Sequence, residues 1–271
     1  MKELLVRLGL PLITPVLSRL HALKDVCKGQ DCYLIGDGAS VKWFDLEAFS
    51  DKPSIPCGYL PMHNDFHKLD TKYLLLIEPW WFFPFQKTTN PPVIYVRNAV
   101  QKVYREYALE AHPDKILITN ITNLPVLNRK NTFYTFRDIN DERLPNDFIS
   151  HRMDCFKGSL RASILMAIYL GFDHCYMIGY DYTHFPSLSG HWYEKGDAVP
   201  GDLVDYEKEF LSLAQEYIDI TNITCHASST TLNSVTYKEF TDREPVYREN
   251  HELLSAHAME KLSCWPGYTI Y

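Results

Sequence analysis

Residues 157–185, KGSLRASILMAIYLGFDHCYMIGYDYTHF, carry the clearest indication of the fold of this chain. Within them Leu160, Ile164 and Ile168 recur at helical spacing, which predicts a helix with one side facing a core. Gly171 follows at the position where a left-handed glycine commonly ends a helix. The stretch therefore begins with a helix that ends just before this glycine.

The second half of the stretch predicts a buried strand with polar groups at its end. Residues 175–179 form a short apolar run of the strand type, and Asp181 and Tyr182 come directly after it. In an open α/β sheet, ligands bind at the edge formed by the carboxyl ends of the strands. Lys157 and Arg161 flank the start of the helix, where its dipole disfavours cations, and this favours either a bound anion or two solvated side chains.

An earlier strand brings a glycine-containing loop to the same edge. Residues 32–35, CYLI, predict the strand, and GDGAS follows at 36–40. Gly36 and Gly38 allow the backbone to approach a phosphate or a ribose closely. Val41 occupies the position of the third small residue in a dinucleotide-binding fingerprint, so the loop matches that fingerprint only in part. A tight strand-to-helix turn with no ligand is the alternative.

The rest of the chain alternates between strands and helices. Gly58 and Glu78 fall at strand ends, on the same edge as Gly36 if the strands are parallel. The predicted fold class is α/β: a single Rossmann-like domain with a mostly parallel central sheet flanked by helices, plus a lid loop. Further strands are predicted at 54–60, 73–79, 116–121, 131–136 and 223–227, and further helices at 97–111, 202–218 and 250–262.

We divide the chain into an N-terminal segment, residues 1–30, and one domain, residues 31–271. The segment is basic, amphipathic and interrupted by prolines, which fits either packing over the domain or lying on an anionic membrane surface. Residues 183–201 are rich in Gly, Pro and Ser, and a loop of this length in a compact domain is usually functional or disordered. We interpret them as a mobile lid over the site, with His191 and His184 as candidate general bases.

Composition and charge limit the class of protein. The chain has 271 residues, a formal net charge of −7 and 46% hydrophobic residues, which is ordinary for a soluble globular protein and argues against a nucleic-acid binder. The seven cysteines are an odd number without a CxxC pair, which fits a reducing compartment. The sequence lacks an uncharged stretch of ~18 residues and a cleavable signal pattern. It thus predicts a cytoplasmic protein, with peripheral contact to the inner membrane and homo-oligomer formation left open.

Several catalytic signatures are missing from the sequence. It has no DxD dyad, HExxH motif, EF-hand loop, serine-hydrolase elbow or P-loop. What remains is a sheet edge with polar side chains, next to a lid that carries cations and tyrosines. This combination suits a nucleotide-linked donor bound without a metal or other cofactor, whose leaving phosphate is neutralised by protein donors.

Two stretches together resemble a known family. IGDGAS at 35–40 and GSLRASILMAIYLGFDHCYMIGYDY at 158–182 look like the bacterial lipooligosaccharide sialyltransferases, which have an [AI]-G-N-G-P-S loop on their first strand. The motility-associated glycosyltransferases and the archaeal-type hydroxymethylpterin pyrophosphokinases share much of the second pattern. The resemblance covers about 35 residues and implies a nucleotide-binding α/β fold.

The resemblance also implies roles for individual residues. His191 would be the general base, and Thr183 stands where a tyrosine that assists the leaving group is expected. Three positions depart from the family pattern, which has asparagines there: Asp37, Gly58 and Glu78. The implied donor-binding residues are Gly36, Asp37, Gly38, Ser40, Gly58, Glu78, Ser159, Leu160 and Asp181. The implied catalytic residues are His191, Tyr182, Tyr193 and Arg161, with Tyr193, Lys195 or Arg161 stabilising the leaving phosphate.

The function implied by the resemblance is an inverting, metal-independent glycosyltransferase. It would move a nonulosonic acid of the sialic acid type from a CMP-activated donor to a glycan or glycolipid of the cell surface, such as lipopolysaccharide or capsule. A pterin pyrophosphokinase-like transferase that uses Mg²⁺ and ATP is one alternative, with Asp37, Glu78 and Asp181 as metal ligands. A non-catalytic nucleotide-binding assembly protein is another.

Overall fold

The strands of this chain form mostly parallel sheets. The computed structural model describes residues 11–77, 82, 98–99, 101–127, 129–136, 158–201, 207–225 and 228–271. The strands in this part of the chain are β1 (Asp31–Ile35), β2 (Ser54–Pro56), β3 (Tyr73–Leu76), β4 (Ile116–Asn120), β5 (Thr132–Thr135), β6 (His174–Ile178), β7 (Ser187–Ser189), β8 (Val199–Gly201), β9 (Asp219–Thr224) and β10 (Asn233–Thr236).

The central sheet has five parallel strands in the order β10-β9-β6-β1-β2. A second parallel sheet has the order β3-β4-β5. Isolated parallel bridges from Ser54 to Thr71 and from Cys57 to Leu75 connect the two sheets across β2 and β3. Among the described strands only β7 and β8 pair antiparallel. The predicted α/β class with a mostly parallel sheet is therefore confirmed.

Helices cover both faces of the central sheet. Residues 11–17 are also helical, and helical residues 101–104 continue as a π-helix, Arg105–Glu110. The α-helices are α1 (Gly158–Leu170), α2 (Lys208–Ala214), α3 (Tyr237–Thr241), α4 (Asn250–Leu253) and α5 (Ala256–Leu262). The 3₁₀-helices are Ser18–Leu23, Ala39–Trp43, Leu46–Phe49, Leu60–Met62, Phe66–Lys68, Ile121–Val126 and Asp181–Thr183.

Alternate residues of β1 face two different hydrophobic clusters. Leu34 packs with Leu165 of α1 on one face of the sheet. Ile35 packs with Ile178 and with Leu262 of α5 on the other face. Strands that are covered on both faces are apolar throughout, because neither face meets water. This double burial fixes where β1 and β6 end, and thereby where the polar residues after them lie.

The described part of the N-terminal segment packs on the domain. Leu17 forms a small buried cluster with Ile121 and Tyr134, beside the ends of β4 and β5. This placement fits the packing alternative, and contact with a membrane surface stays a prediction. In the described ranges, no helix combines the length and apolar character needed to span a bilayer.

The structure differs from the sequence predictions in several elements. Half-exposed, polar β10 was not predicted, because its residues lack an apolar pattern. The polar segment 183–201 was expected to contain no regular element, but it includes the short hairpin β7–β8. The predicted helix 250–262 is divided at Leu254, and its two parts are capped by Glu249 and Ser255 rather than by Asn250.

Candidate active site at the carboxyl ends of β1 and β6

The ends of β1 and β6 lie side by side, as the sequence predicts. The two strands pair in parallel up to Ile35 and Ile178. The pairing continues beyond the strands, because the backbone N–H of Gly36 donates to the Ile178 carbonyl and that of Gly38 to the Gly179 carbonyl, both at 2.8 Å. The loop after β1 and the loop after β6 therefore form one continuous edge.

The glycines of the first loop are required by contacts within the protein. A Cβ atom on Gly36 would lie 2.5 Å from the Gly179 carbonyl oxygen. A Cβ atom on Gly38 would lie 2.5 Å from the same oxygen and 2.6 Å from Oδ2 of Asp181. The sequence predicts that these glycines make room for a ligand, and the structure shows that they make room for the neighbouring loop.

Asp181 is buried behind this edge and is bound by Ser40. Both the backbone N–H and the hydroxyl of Ser40 donate to its carboxylate, at 2.8 and 2.5 Å. Nε2 of His184 lies 3.7 Å from Oδ1 of Asp181, and Nδ1 of His184 is 3.1 Å from the Pro186 carbonyl. Ser40, Asp181 and His184 are all buried. These three predicted residues are thus brought together, but away from solvent.

Asp37 links three segments around the edge. Its carboxylate accepts hydrogen bonds from the Tyr59 backbone N–H, at 3.0 and 3.1 Å, and from Nε1 of Trp192 at 3.1 Å. Gly58 has a φ of +60°, and a Cβ atom there would lie 1.5 Å from Oδ2 of Asp37. The carboxylate therefore occupies the space that any side chain at position 58 would need. Burial raises the pKa of Asp37 to about 6, against the opposing effect of the two donors and of nearby His191.

His191 lies on the open side of the same loop, next to Gly38. The two residues form an antiparallel bridge, and the Trp192 backbone N–H donates to the Asp37 carbonyl at 3.2 Å. Nδ1 of His191 is 2.7 Å from Oε2 of Glu194, and the His191 backbone N–H donates to the same oxygen at 2.9 Å. The His191 side chain is 43% exposed. When Nδ1–H donates to Glu194, Nε2 is left as the basic nitrogen of the ring.

The imidazole of His191 rests on an aromatic cluster. It stacks on Tyr193, with 4.8 Å between ring centroids and 9° between planes, and meets Tyr268 edge to face at 5.8 Å. Tyr193 is buried and also contacts Tyr59 at 4.9 Å. Burial holds the pKa of Tyr193 well above its usual range, so the phenol stays protonated. This placement makes Tyr193 a support for His191.

Three further groups hold the segment that carries His191, and two of them, Lys42 and Asn250, have no recognisable signal in the sequence. The side chain of Lys42 is fully buried, and its ammonium donates to the carbonyls of Glu194 and Gly196. The Asn250 amide donates to the Tyr193 carbonyl at 3.0 Å and to the Ile270 carbonyl at 2.9 Å. Glu194 itself follows His191 by three residues, and that spacing is a signal that sequence reasoning missed.

The remaining predicted residues lie around the start of α1. Ser159 is partly exposed and interacts with the buried thiol of Cys57, whereas the side chain of Leu160 belongs to the core. The guanidinium of Arg161 forms an ion pair with Glu207, so its charge is already balanced. This pairing explains a cation near the helix start without a bound anion.

Tyr182 and Glu78 complete the predicted set. Tyr182 is partly buried and packs against the core cluster under α1. Glu78 lies outside the described residues. Within the ranges that the structure describes, no three side chains of His, Cys, Asp or Glu are grouped so as to hold a metal ion. The carboxylates of Asp37 and Asp181, two of the alternative magnesium ligands, bind the protein donors described above.

No protein-family model matches the chain, and no curated protein matches it. Solved structures that resemble it include the MAf glycosyltransferase from Magnetospirillum magneticum AMB-1, at 13% identity and a TM-score of 0.41, over 93% of this chain and 42% of that one. Another is the sialyltransferase CstII from Campylobacter jejuni in complex with the substrate analogue CMP-3FNeuAc, at 14% identity and a TM-score of 0.42. That match covers 87% of this chain and 100% of that one.

A CstII structure with cytidine-5'-monophosphate matches at 13% identity and a TM-score of 0.42, over 88% of this chain and 98% of that one. The chain thus spans less than half of the MAf glycosyltransferase chain and nearly all of each CstII chain. At these identities and TM-scores, the assignment of a function has to come from the residues of the chain itself.

Proposed function

We propose that this chain is an inverting glycosyltransferase. It moves a nonulosonic acid of the sialic acid type from a CMP-activated donor to a hydroxyl of a cell-surface glycan, without a metal ion. The observation that carries this proposal is the His191–Glu194 pair, which is fixed to the loop after β1 through the bridge between Gly38 and His191. A base thereby stands at the sheet edge where a nucleotide-linked donor binds in an α/β fold.

The chemistry follows from the state of the imidazole. Glu194 accepts from Nδ1–H, so Nε2 of His191 removes the proton from the acceptor hydroxyl as its oxygen attacks the anomeric carbon. The bond from that carbon to the phosphate oxygen breaks, and CMP departs with the electron pair. One displacement of this kind inverts the anomeric centre. Among the three residues considered for the phosphate, Tyr193 is buried and Arg161 is paired, whereas Lys195 is exposed.

Donor recognition is supported by the sequence resemblance of the two loops. Gly38 and Ser159, which match the family positions for donor contact, are partly exposed at this edge. Asp37 and Gly58 replace two family asparagines, and the structure places them in direct contact. The two replacements therefore change one place in the site together, which supports a donor sugar or a sugar contact different from that of the family.

Thermal shift with nucleotides tests the proposal. We expect CMP to raise the melting temperature in the presence of EDTA, by several degrees at about 100 times its Kd. Wild-type protein should also release CMP from CMP-N-acetylneuraminic acid when a glycan acceptor is present. Stabilisation by ATP only with Mg²⁺ would instead support the pyrophosphokinase-like function, and CMP binding without turnover would support a non-catalytic role.

A further inference from the structure

A tight turn near the end of the chain presents two aromatic rings. Residues 265–268 read Trp-Pro-Gly-Tyr, and the Tyr268 backbone N–H donates to the Trp265 carbonyl at 3.1 Å. Proline at the second position of such a turn fixes φ in advance. A Cβ atom on Gly267 would lie 2.9 Å from Nε1 of Trp265, so the bare glycine lets the indole lie against the turn. The rings of Trp265 and Tyr268 are held 5.9 Å apart at 30°.

This turn is joined to the segment that carries the candidate base. The Lys195 backbone N–H donates to the Thr269 carbonyl at 2.7 Å, and the Thr269 N–H donates to Oε1 of Glu194 at 3.3 Å. The ring of Tyr268 meets His191 at 5.8 Å. Two ring contacts therefore connect the indole of Trp265 to His191, which places both rings beside the imidazole.

Trp265 is an exposed aromatic residue close to the candidate base His191. Trp265 is 41% exposed, and Tyr268 is partly exposed next to it. Single exposed apolar residues are normal on a protein surface. Here, however, two aromatic residues are held rigidly on a Pro-Gly turn and adjoin the histidine that must meet the acceptor.

We propose that Trp265 and Tyr268 form an acceptor subsite, on which a pyranose ring of the glycan stacks while a neighbouring hydroxyl reaches Nε2 of His191. This inference rests on the proposed function. A pyranose has one face of C–H groups, which pack against the negative face of an aromatic ring, while its hydroxyls stay hydrated at the rim. Because the turn is already rigid, little conformational entropy is lost when the sugar binds. The surface selects a carbohydrate acceptor by shape and not by charge.

Saturation-transfer NMR tests the subsite directly. The probes are methyl β-D-galactopyranoside, methyl β-D-glucopyranoside and methyl α-D-mannopyranoside, with saturation of the aromatic protons of the protein in the presence of CMP. We expect transfer to the C–H protons of at least one pyranoside with wild-type protein, loss of that transfer in Trp265→Ala, and partial return in Trp265→Phe. Tyr271→Ala is the matched control, because Tyr271 is a 68% exposed aromatic residue of the same tail.

Kinetics give a second readout. We expect Trp265→Ala to raise the KM for the glycan acceptor about five- to tenfold, with kcat and the slow release of CMP to water little changed. Equal transfer to all four proteins, or none to wild type while CMP still binds, would overturn the acceptor subsite and leave the proposed function standing. Failure of wild type to bind CMP in the same samples would overturn both.

Discussion

Two histidines of one segment, His184 and His191, have opposite surroundings. His184 is buried between Asp181 and the Pro186 carbonyl. His191 is 43% exposed, and its Nδ1 faces Glu194. Of the two, His191 is the one that solvent reaches, and donation from its Nδ1–H to Glu194 would leave Nε2 as the basic nitrogen. The same segment therefore provides a buried histidine on its inner side and an exposed one on its outer side.

The carboxylates beside these histidines differ in the same way. Asp181 is fully engaged by Ser40, so it stabilises the junction of the two loops. Glu194 accepts two hydrogen bonds at Oε2, both from His191, and one at Oε1 from the Thr269 backbone N–H. A buried carboxylate that accepts several hydrogen bonds contributes to the fold, whereas a partly exposed one beside an open imidazole can support proton transfer.

The largest effect should come from removing the exposed histidine. We expect His191→Ala to lower the transfer rate about 10²- to 10⁴-fold, which is the usual contribution of a general base, with CMP binding and melting temperature nearly unchanged. His184→Ala should instead leave the transfer rate nearly unchanged and lower the free energy of unfolding by about 1–3 kcal/mol, because its buried polar partners lose a hydrogen-bonding group. Turnover assays and thermal melts of both variants separate the two roles.

A matched control for His191 exists elsewhere in the chain. His257 is also half-exposed, lies 3.1 Å from a glutamate oxygen of Glu106 and stacks on Tyr107, but it belongs to α5. We expect His257→Ala to keep the wild-type transfer rate. If His191→Ala keeps it as well, His191 is not the base.

Gly58 tests the contact between the residue after Cys57 and the Asp37 carboxylate at the same sheet edge. We expect Gly58→Ala to lower the free energy of unfolding by about 2–4 kcal/mol, because its methyl group would overlap the Asp37 carboxylate and its φ is positive. The double variant Asp37→Ala, Gly58→Ala should recover part of this loss. Urea denaturation of the two single variants and the double variant gives the coupling. Additive losses would mean that the two positions are not in contact.

The Asp37 carboxyl should give the protein a measurable pH dependence. Its pKa in the fold is about 6, above the usual 3.8, so the folded state binds this proton more tightly than the unfolded state. The ionised Asp37 carboxylate therefore lowers the free energy of unfolding, with its whole effect present above about pH 6. The effect disappears as the pH falls towards about 4 and the carboxyl is protonated. We expect the free energy of unfolding of Asp37→Asn minus that of wild type to fall by about 2–3 kcal/mol as the pH is lowered over that range, because only wild type gains stability from the proton.

The comparison with Asp37→Asn is needed because other groups titrate too. Burial lowers the pKa of His63 to about 3, which makes the fold less stable in acid and opposes the effect of Asp37. Chemical denaturation of both proteins from pH 4 to 8 removes this common contribution. A difference that stays constant across that range would contradict the raised pKa of Asp37.

The smallest expected effect concerns Glu194. We expect Glu194→Gln to lower kcat about tenfold, because the imidazole loses the carboxylate that accepts from Nδ1–H and leaves Nε2 as the basic nitrogen. Glu194→Asp should restore part of the rate. A purely structural role would lower the melting temperature of Glu194→Gln and leave its kcat at the wild-type value.

The sequence predicted the framework of the site because strand ends follow from buried apolar runs. The runs before Gly36 and after Asp173 are apolar on both faces, so β1 and β6 were placed correctly and their ends met at one edge. The structure gives a reason for Gly36 and Gly38 that the sequence could not show, because their missing side chains make room for Gly179 and Asp181. Their predicted contact with a ligand stays a prediction. Nothing local in a sequence distinguishes close approach to a ligand from close approach to another loop.

The sequence could not predict which side chains pair with each other, because the partners are far apart along the chain. Arg161 and Glu207 lie 46 positions apart, and Lys42 is more than 150 residues from the carbonyls that it binds. Such contacts follow from the packing of whole elements and leave no periodic signal. The roles of the site residues therefore stay predictions, to be decided by the variants above.

The buried ammonium of Lys42 limits how far residues 191–196 can move. Swinging residues 191–196 outward would take both carbonyl acceptors away from an ammonium that has no exposed surface, at a cost of several kcal/mol. This part of the expected lid is thus a fixed wall of the site. If the chain acts as proposed, we expect room for a bulky sugar to come from the hairpin β7–β8, while His191 keeps its place beside the loop after β1.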